Sequence, residues 1–205
     1  MLNIAVFISG RGSNLSSIIE YFKENLNIVS IKYVISNNKE AYGLKIAKSN
    51  NIPTFLISPD KLETEKSYDI LAEKLKNNDV DLIVLAGYLK KIPDSFIDKF
   101  ENKIINIHPA LLPSFGGKGM YGLNVHQAVF NKSVKVTGAS VHFVNKVYDE
   151  GLIIAQQAVD ISDVENAEEI AEKVLKIEHT ILPYVISKIA EHKIIIKNNR
   201  VYINE

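Results

Sequence analysis

The chain contains no cysteine. That absence excludes a disulfide framework, a thiolate nucleophile and any cysteine-ligated zinc. Net charge is missing as well, since 24 Lys+Arg stand against 24 Asp+Glu. A protein that binds nucleic acid by broad phosphate neutralisation needs a basic surplus, so this balance argues against such a partner. Long apolar runs are also absent. The longest, residues 82–89, is less than half of the ~20 residues of a membrane span. The apolar opening at residues 4–8 is too short for a signal segment and has no basic stretch before it. The expectation is a cytoplasmic protein with no membrane partner.

What remains is the material of a globular domain. The chain has 205 residues, of which 46% are hydrophobic, enough for a full core in one α/β domain. Short apolar runs alternate with amphipathic stretches through the first hundred residues. Strands are expected at 4–9, 28–36, 53–57, 81–86 and 103–108, and helices at 13–24, 41–48, 68–76 and 96–100. Strands apolar on both faces, separated by helices, imply a parallel sheet covered on both sides. A Gly/Pro-rich loop follows at 109–123, then a short helix at 124–130 and two long strands at 134–144 and 153–161. A helix at 167–190, expected to be disturbed at Pro183, and a hairpin joined around Asn198-Asn199 complete the chain. The expected fold is α/β, a Rossmann-like, mostly parallel sheet flanked by helices with mixed C-terminal strands. It reads as a single domain, 1–205, with one half at 1–100 and the other at 101–205.

Ligands of such sheets sit beyond the carboxyl ends of the strands. The first of these ends carries Ser9-Gly10-Arg11-Gly12-Ser13-Asn14-Leu15. Backbone N–H groups at a helix start, with small residues around them, form an anion site, and Ser13 and Asn14 add side-chain donors. A dinucleotide fingerprint is excluded, because Leu15 replaces its third glycine and the second strand ends in Ser36-Asn37-Asn38 without an acid. The two readings left are a tight strand-to-helix turn and a site for a phosphate monoester.

The fifth strand ends in Asn106-Ile107-His108-Pro109. Side chains alternate along a strand, so Asn106 and His108 share one face and Ile107 takes the other. An amide beside an imidazole suits attack on a carbonyl: the amide donates to a developing oxyanion and the histidine moves a proton. The alternative is a histidine that satisfies a buried backbone carbonyl. Asp149, in Tyr148-Asp149-Glu150-Gly151, is either a turn aspartate or a carboxylate aimed at His108 that favours the imidazolium and relays protons. His126 and His142 read as structural before catalytic, candidates only to support the pair. No metal-ligand spacing links the five histidines and no Gly-x-Ser-x-Gly elbow is present, so no metal is expected.

Taken together these segments resemble the phosphoribosylglycinamide formyltransferases (glycinamide ribonucleotide transformylases), folate-dependent formyltransferases of purine biosynthesis. The resemblance covers nearly the whole chain. It rests on residues 8–15, on Leu85-Ala86-Gly87-Tyr88-Leu89, on Asn106-Ile107-His108-Pro109-Ala110-Leu111-Leu112-Pro113, and on Gly138-Ala139-Ser140-Val141-His142-Phe143. Asp149-x-Gly151, Gln156 and Glu178-His179 complete it. It implies a formyltransferase fold and transfer of a formyl group from 10-formyltetrahydrofolate to the amine of glycinamide ribonucleotide. On this resemblance Gly12, Ser13 and Asn14 hold the ribose phosphate, Glu178 contacts the ribose, and Leu89 and Ile107 seat the substrate. Asn106 and His108 stabilise the tetrahedral oxyanion and Asp149 assists the proton transfers. The pterin lies near Leu85, Tyr88, Lys90, Ile92 and the loop from Val144 to Asp149, and the Leu112–Pro113 bond is cis. The partners implied are small molecules, with the protein a monomer or a homodimer.

Three other readings compete with this one. A formyltetrahydrofolate deformylase shares the catalytic residues but carries an additional N-terminal module, for which the first strand leaves no room. A tRNA formyltransferase would need a further C-terminal module. A rival of another class is a non-catalytic module that holds a phosphorylated metabolite, for which the Asn106, His108 and Asp149 set would be idle.

Overall fold

The computed structural model describes residues 1–23, 28–58 and 61–204, without the side chains of 61–64. Two compact units divide between Ile105 and Asn106.

The first unit contains β1 (Leu2–Ile8), α1 (Ser13–Lys23), β2 (Val29–Ser36), α2 (Tyr42–Ser49), β3 (Thr54–Leu56), α3 (Lys61–Lys76), β4 (Leu82–Leu85), α4 (Asp94–Lys99) and the start of β5 (Ile104–His108). β1 pairs in parallel with both β2 and β4, and β2 in parallel with β3. Residues Ile4 to Ile8 and Ile83 are fully buried, as expected of central strands covered on both faces. α1 turns Leu15, Ile18 and Phe22 inward, the spacing that a 3.6-residue period predicts. The helix α3 begins at Lys61 rather than at Tyr68. Residues 65–67 are Glu, Lys and Ser, so the apolar periodicity that marks the helix starts only at Tyr68. The expected end of the first helix at residue 24 lies outside the described residues.

The second unit contains the end of β5, α5 (Leu123–Asn131), β6 (Val136–Phe143), β7 (Ile153–Asp160), α6 (Ala167–Ala190), β8 (Ile194–Lys197) and β9 (Arg200–Ile203). β6 and β7 are antiparallel, with Ser140 opposite Gln156. α6 packs on α5, β6 and β7. At its start the Asn166 side chain accepts from the Glu169 N–H, and Glu169 in turn accepts from the Asn166 amide and the Glu165 N–H. This satisfies backbone donors that a helix start leaves unpaired. Pro183, where a disturbance is expected, lies inside α6, which runs from Ala167 to Ala190 without a break. An internal proline costs ~3 kcal/mol. Ile181, Leu182, Val185 and Ile186 around it are all buried, and at ~2 kcal/mol for each such side chain their burial outweighs that cost. The terminal hairpin turns on Asn198 and Asn199, both at positive φ, the residues a two-residue turn of this hand requires.

The strand order is β3-β2-β1-β4-β5-β6-β7, with β8-β9 a separate ribbon. This is the expected mixed, mostly parallel sheet. Among the described residues no helix is long and apolar enough to cross a membrane.

Candidate active site

β5 delivers Asn106 and His108 to its carboxyl end, two residues apart on one face. Ile107, on the opposite face, is buried. His108 is itself buried, and its Nε2 lies 2.9 Å from the Phe115 carbonyl oxygen. A carbonyl only accepts, so Nε2 carries a proton. The other ring nitrogen, Nδ1, faces Asp149 Oδ2 at 3.6 Å. The same carboxylate oxygen accepts the Gly117 N–H at 2.8 Å.

Asp149 has a second imidazole on its other side. Its Oδ1 lies 3.6 Å from His142 Nε2, an ion-pair distance and not a hydrogen bond. His142 Nδ1 donates to the Phe143 carbonyl at 2.8 Å. His142 Nε2 lies 3.1 Å from the Asn106 amide nitrogen. The four side chains thus form one cluster, Asn106–His142–Asp149–His108, within the second unit. The sequence reading placed Asn106, His108 and Asp149 together, and the structure does the same. It kept His142 only as a supporting candidate, whereas His142 sits between Asn106 and Asp149. The available signal was the Ser140/His142 spacing on β6, a polar pair two residues apart in a buried strand like Asn106/His108 on β5.

The backbone around Asp149 is tightly determined. Asp149 and Phe115 both adopt the left-handed region, at φ 58 and φ 56, which aspartate tolerates but which is unusual for a bulky phenylalanine. A Cβ on Gly151 would collide with the Phe143 carbonyl oxygen, and one on Gly116 would lie 2.6 Å from Leu112 Cδ2 and 3.2 Å from Asp149 Cβ. The expected cis bond is present at Leu112–Pro113.

Electrostatics follow from this geometry. Burial pushes His108 below the ordinary histidine value, while the Asp149 carboxylate and the Phe115 carbonyl oppose that shift. Burial would raise Asp149, but His142, His108 and the Gly117 N–H outweigh it and hold the carboxyl below its usual range. His126, on α5, is buried with no hydrogen bond to Nδ1 among the described residues. Burial, with the His108 charge behind it, lowers His126 to about 4.

The expected phosphate loop lies in the first unit. Gly12 has φ 76, and a Cβ there would stand 2.6 Å from Gly43 Cα, so only glycine permits this approach of α2. Ser13 opens α1, and Asn14 is buried in its first turn. Leu89 is exposed, and its N–H donates to Ser9 Oγ at 2.8 Å. Of the residues expected near the pterin, Leu85, Tyr88 and Ile92 have buried side chains, Lys90 is exposed and Val144 is half-buried. The Tyr88 hydroxyl lies 2.8 Å from that of Tyr68, and its ring meets Phe7 edge-on at 5.4 Å. Glu178 is buried on α6 in the second unit. Among the described residues no cluster of three or more His, Cys, Asp or Glu is placed to hold a metal ion.

Comparison with known proteins bears on this cluster. The formyl transferase family model matches residues 2–186. The chain is 36% identical over 190 residues to the phosphoribosylglycinamide formyltransferase of Bacillus subtilis, covering 92% of this chain and 95% of that protein. It is 40% identical over 193 residues to the chloroplastic phosphoribosylglycinamide formyltransferase of Arabidopsis thaliana, covering 93% of this chain. The chain spans 66% of that plant protein's length, slightly less than two thirds. The crystal structure of the Anaplasma phagocytophilum phosphoribosylglycinamide formyltransferase superposes with a TM-score of 0.89 at 38% identity, covering 100% of this chain and 94% of that one.

Proposed function

Because the chain belongs to the formyl transferase family, we propose that it transfers the formyl group of 10-formyltetrahydrofolate to the amine of glycinamide ribonucleotide. The products are formylglycinamide ribonucleotide and tetrahydrofolate, a step of purine biosynthesis. The observation that carries this reading is the buried Asn106–His142–Asp149–His108 cluster, which joins an amide donor to an imidazole–carboxylate pair. That combination serves attack on a carbonyl. A module that only held a metabolite would have no use for it.

The substrate amine attacks the formyl carbon. A C–N bond forms and the carbonyl pair moves onto oxygen, giving a tetrahedral oxyanion. One N–H of Asn106 goes to His142; the amide has a second, which donates to the oxyanion. His108, whose Nε2–H is held by the Phe115 carbonyl, supplies the other donor from Nδ1 once that nitrogen is protonated beside Asp149. Collapse restores the carbonyl and breaks the bond to the folate nitrogen, and the proton lost by the amine ends on that nitrogen. Asp149, flanked by the two imidazoles, carries it between them.

The remaining roles are carried over from the sequence resemblance as part of this proposal. Gly12, Ser13 and Asn14 take the phosphate at the start of α1, where backbone N–H groups favour an anion. Leu89, Ile107 and Glu178 seat the ribonucleotide. Lys90 and Val144 border the folate with their side chains, whereas Leu85, Tyr88 and Ile92 have theirs buried and contribute through the main chain. The test is to incubate the protein with the formyl donor, with and without glycinamide ribonucleotide, and to follow the products by mass. Formylated ribonucleotide, with no donor loss in its absence, supports the transferase. Equal donor loss without ribonucleotide would make the protein a hydrolase.

A further inference from the structure

Ser140 lies on β6 with no exposure to solvent. Its hydroxyl donates to the Ala110 carbonyl at 2.7 Å and accepts from the Leu112 N–H at 3.0 Å and from Gln156 Nε2 at 2.9 Å. A hydroxyl has one donor and two acceptor sites, so all are used. Gln156, opposite on β7, also bonds the Leu112 carbonyl through Nε2 at 2.9 Å. The β6–β7 ladder does not require these bonds, because it is held by backbone pairing. What they secure is the segment that starts at Ala110.

The far end of that segment touches the catalytic pair. Phe115 presents its carbonyl to His108 Nε2, and Gly117 its N–H to Asp149 Oδ2. Between the two ends, Gly116 leaves no room for a Cβ beside Leu112 and Asp149, and Phe115 holds a positive φ. A displacement at Leu112 is therefore passed along a packed segment to His108 and Asp149. The segment has little slack.

We propose that Ser140 and Gln156 are positioning residues, which hold residues 110–112 so that the Phe115 carbonyl fixes the proton on His108 Nε2 and the Gly117 N–H orients Asp149. The kinetic part of this proposal rests on the formyl-transfer reading; the spectroscopic part does not. The groups that face His108 and enter its titration are Asp149, His142 and His126, and all are retained in the variants below.

Gln156→Leu keeps the side-chain volume and removes both donors; Ser140→Ala removes the hydroxyl. The readouts are the ¹⁵N spectrum of the His108 ring across pH, kcat, KM for the ribonucleotide, and the melting temperature. The expected result for Gln156→Leu is a smaller population of the Nε2–H form of His108. With it comes a kcat lower by about tenfold, since ~1 Å of misplacement at a reacting centre costs up to ~100-fold, while KM stays within about twofold. An unchanged His108 spectrum and kcat, even with a lower melting temperature, would overturn the proposal and leave a purely structural role. If Ser140→Ala does not fold, Gln156→Leu decides alone. If the wild-type protein transfers no formyl group, the functional reading fails while the His108 spectrum still decides the positioning role.

Discussion

His108 Nδ1 and Asp149 Oδ2 stand 3.6 Å apart, with the imidazole almost fully buried and the carboxylate 11% exposed. Burial and the carboxylate act on His108 in opposite directions, and burial is the larger. Asp149→Asn removes the opposing charge and leaves burial in place. The His108 titration midpoint then falls further below the ordinary ~6.5, and turnover falls by about 10²–10⁴-fold, the usual worth of a group engaged in proton transfer. NMR titration of the histidine ring in both proteins checks the sign; a midpoint that rises in the variant would contradict it.

Ser13→Ala removes a hydroxyl assigned to the phosphate, away from the reacting carbonyl. The expected effect is a rise of about 10- to 100-fold in the ribonucleotide KM, since a hydrogen bond to a charged group contributes ~1.5–3 kcal/mol, with kcat little changed. Steady-state kinetics with the ribonucleotide varied measure both. An unchanged KM would remove Ser13 from the phosphate site.

Acid weakens the fold in two stages. Between pH ~6.5 and about 4, unfolded His126 is protonated while folded His126, lowered to about 4, is not. Stability therefore falls as pH falls through this window, by at most about 3 kcal/mol from this residue. His108 and His179, also lowered by burial, add to the same slope. Asp149 acts at lower pH: its folded carboxyl titrates below the ordinary value, so its contribution is present above that value and lost as pH drops through the folded one. Urea unfolding at a series of pH values measures the slope, and His126→Leu makes it shallower. An identical slope in the variant would contradict the assignment.

The hydroxyls of Tyr68 and Tyr88 lie 2.8 Å apart inside the first unit. Burial raises both ionisations, Tyr88 to about 12 even though its bond to Tyr68 works the other way. Tyr88→Phe leaves the Tyr68 hydroxyl buried without this partner, at a cost of about 1–3 kcal/mol. The double change to Phe at both positions restores much of that loss, which chemical denaturation detects as non-additivity. A double variant destabilised by the sum of the single changes would show that the hydroxyls are not partners.

Much of this architecture is legible in the sequence. The Asn106/His108 alignment follows from strand alternation alone and needs no tertiary information. The parallel core was legible because its strands are apolar on both faces. Asp149 could be named as a residue, but its approach to His108 depends on a positive-φ turn and on the space left by Gly151 and Gly116. The role of His142 depends on which ring nitrogen bonds the neighbouring Phe143 carbonyl, which no spacing encodes. The same holds for Gln156, visible only as a motif residue until β7 set it opposite Ser140. For Tyr88 the motif points to the pterin, while packing turns its side chain toward Phe7 and Tyr68, which the motif does not encode. Pro183 does not end α6, because the burial of its neighbours outweighs its low helix propensity.

The central claim is that the Asn106–His142–Asp149–His108 cluster performs formyl transfer, and the direct measurement is kcat of His108→Ala with its fold verified by circular dichroism. The account predicts a folded protein that forms formylglycinamide ribonucleotide at least about 100-fold more slowly than the wild type, in line with the loss of a group that moves protons and stabilises an oxyanion. A folded His108→Ala protein turning over at a near-normal rate would contradict it.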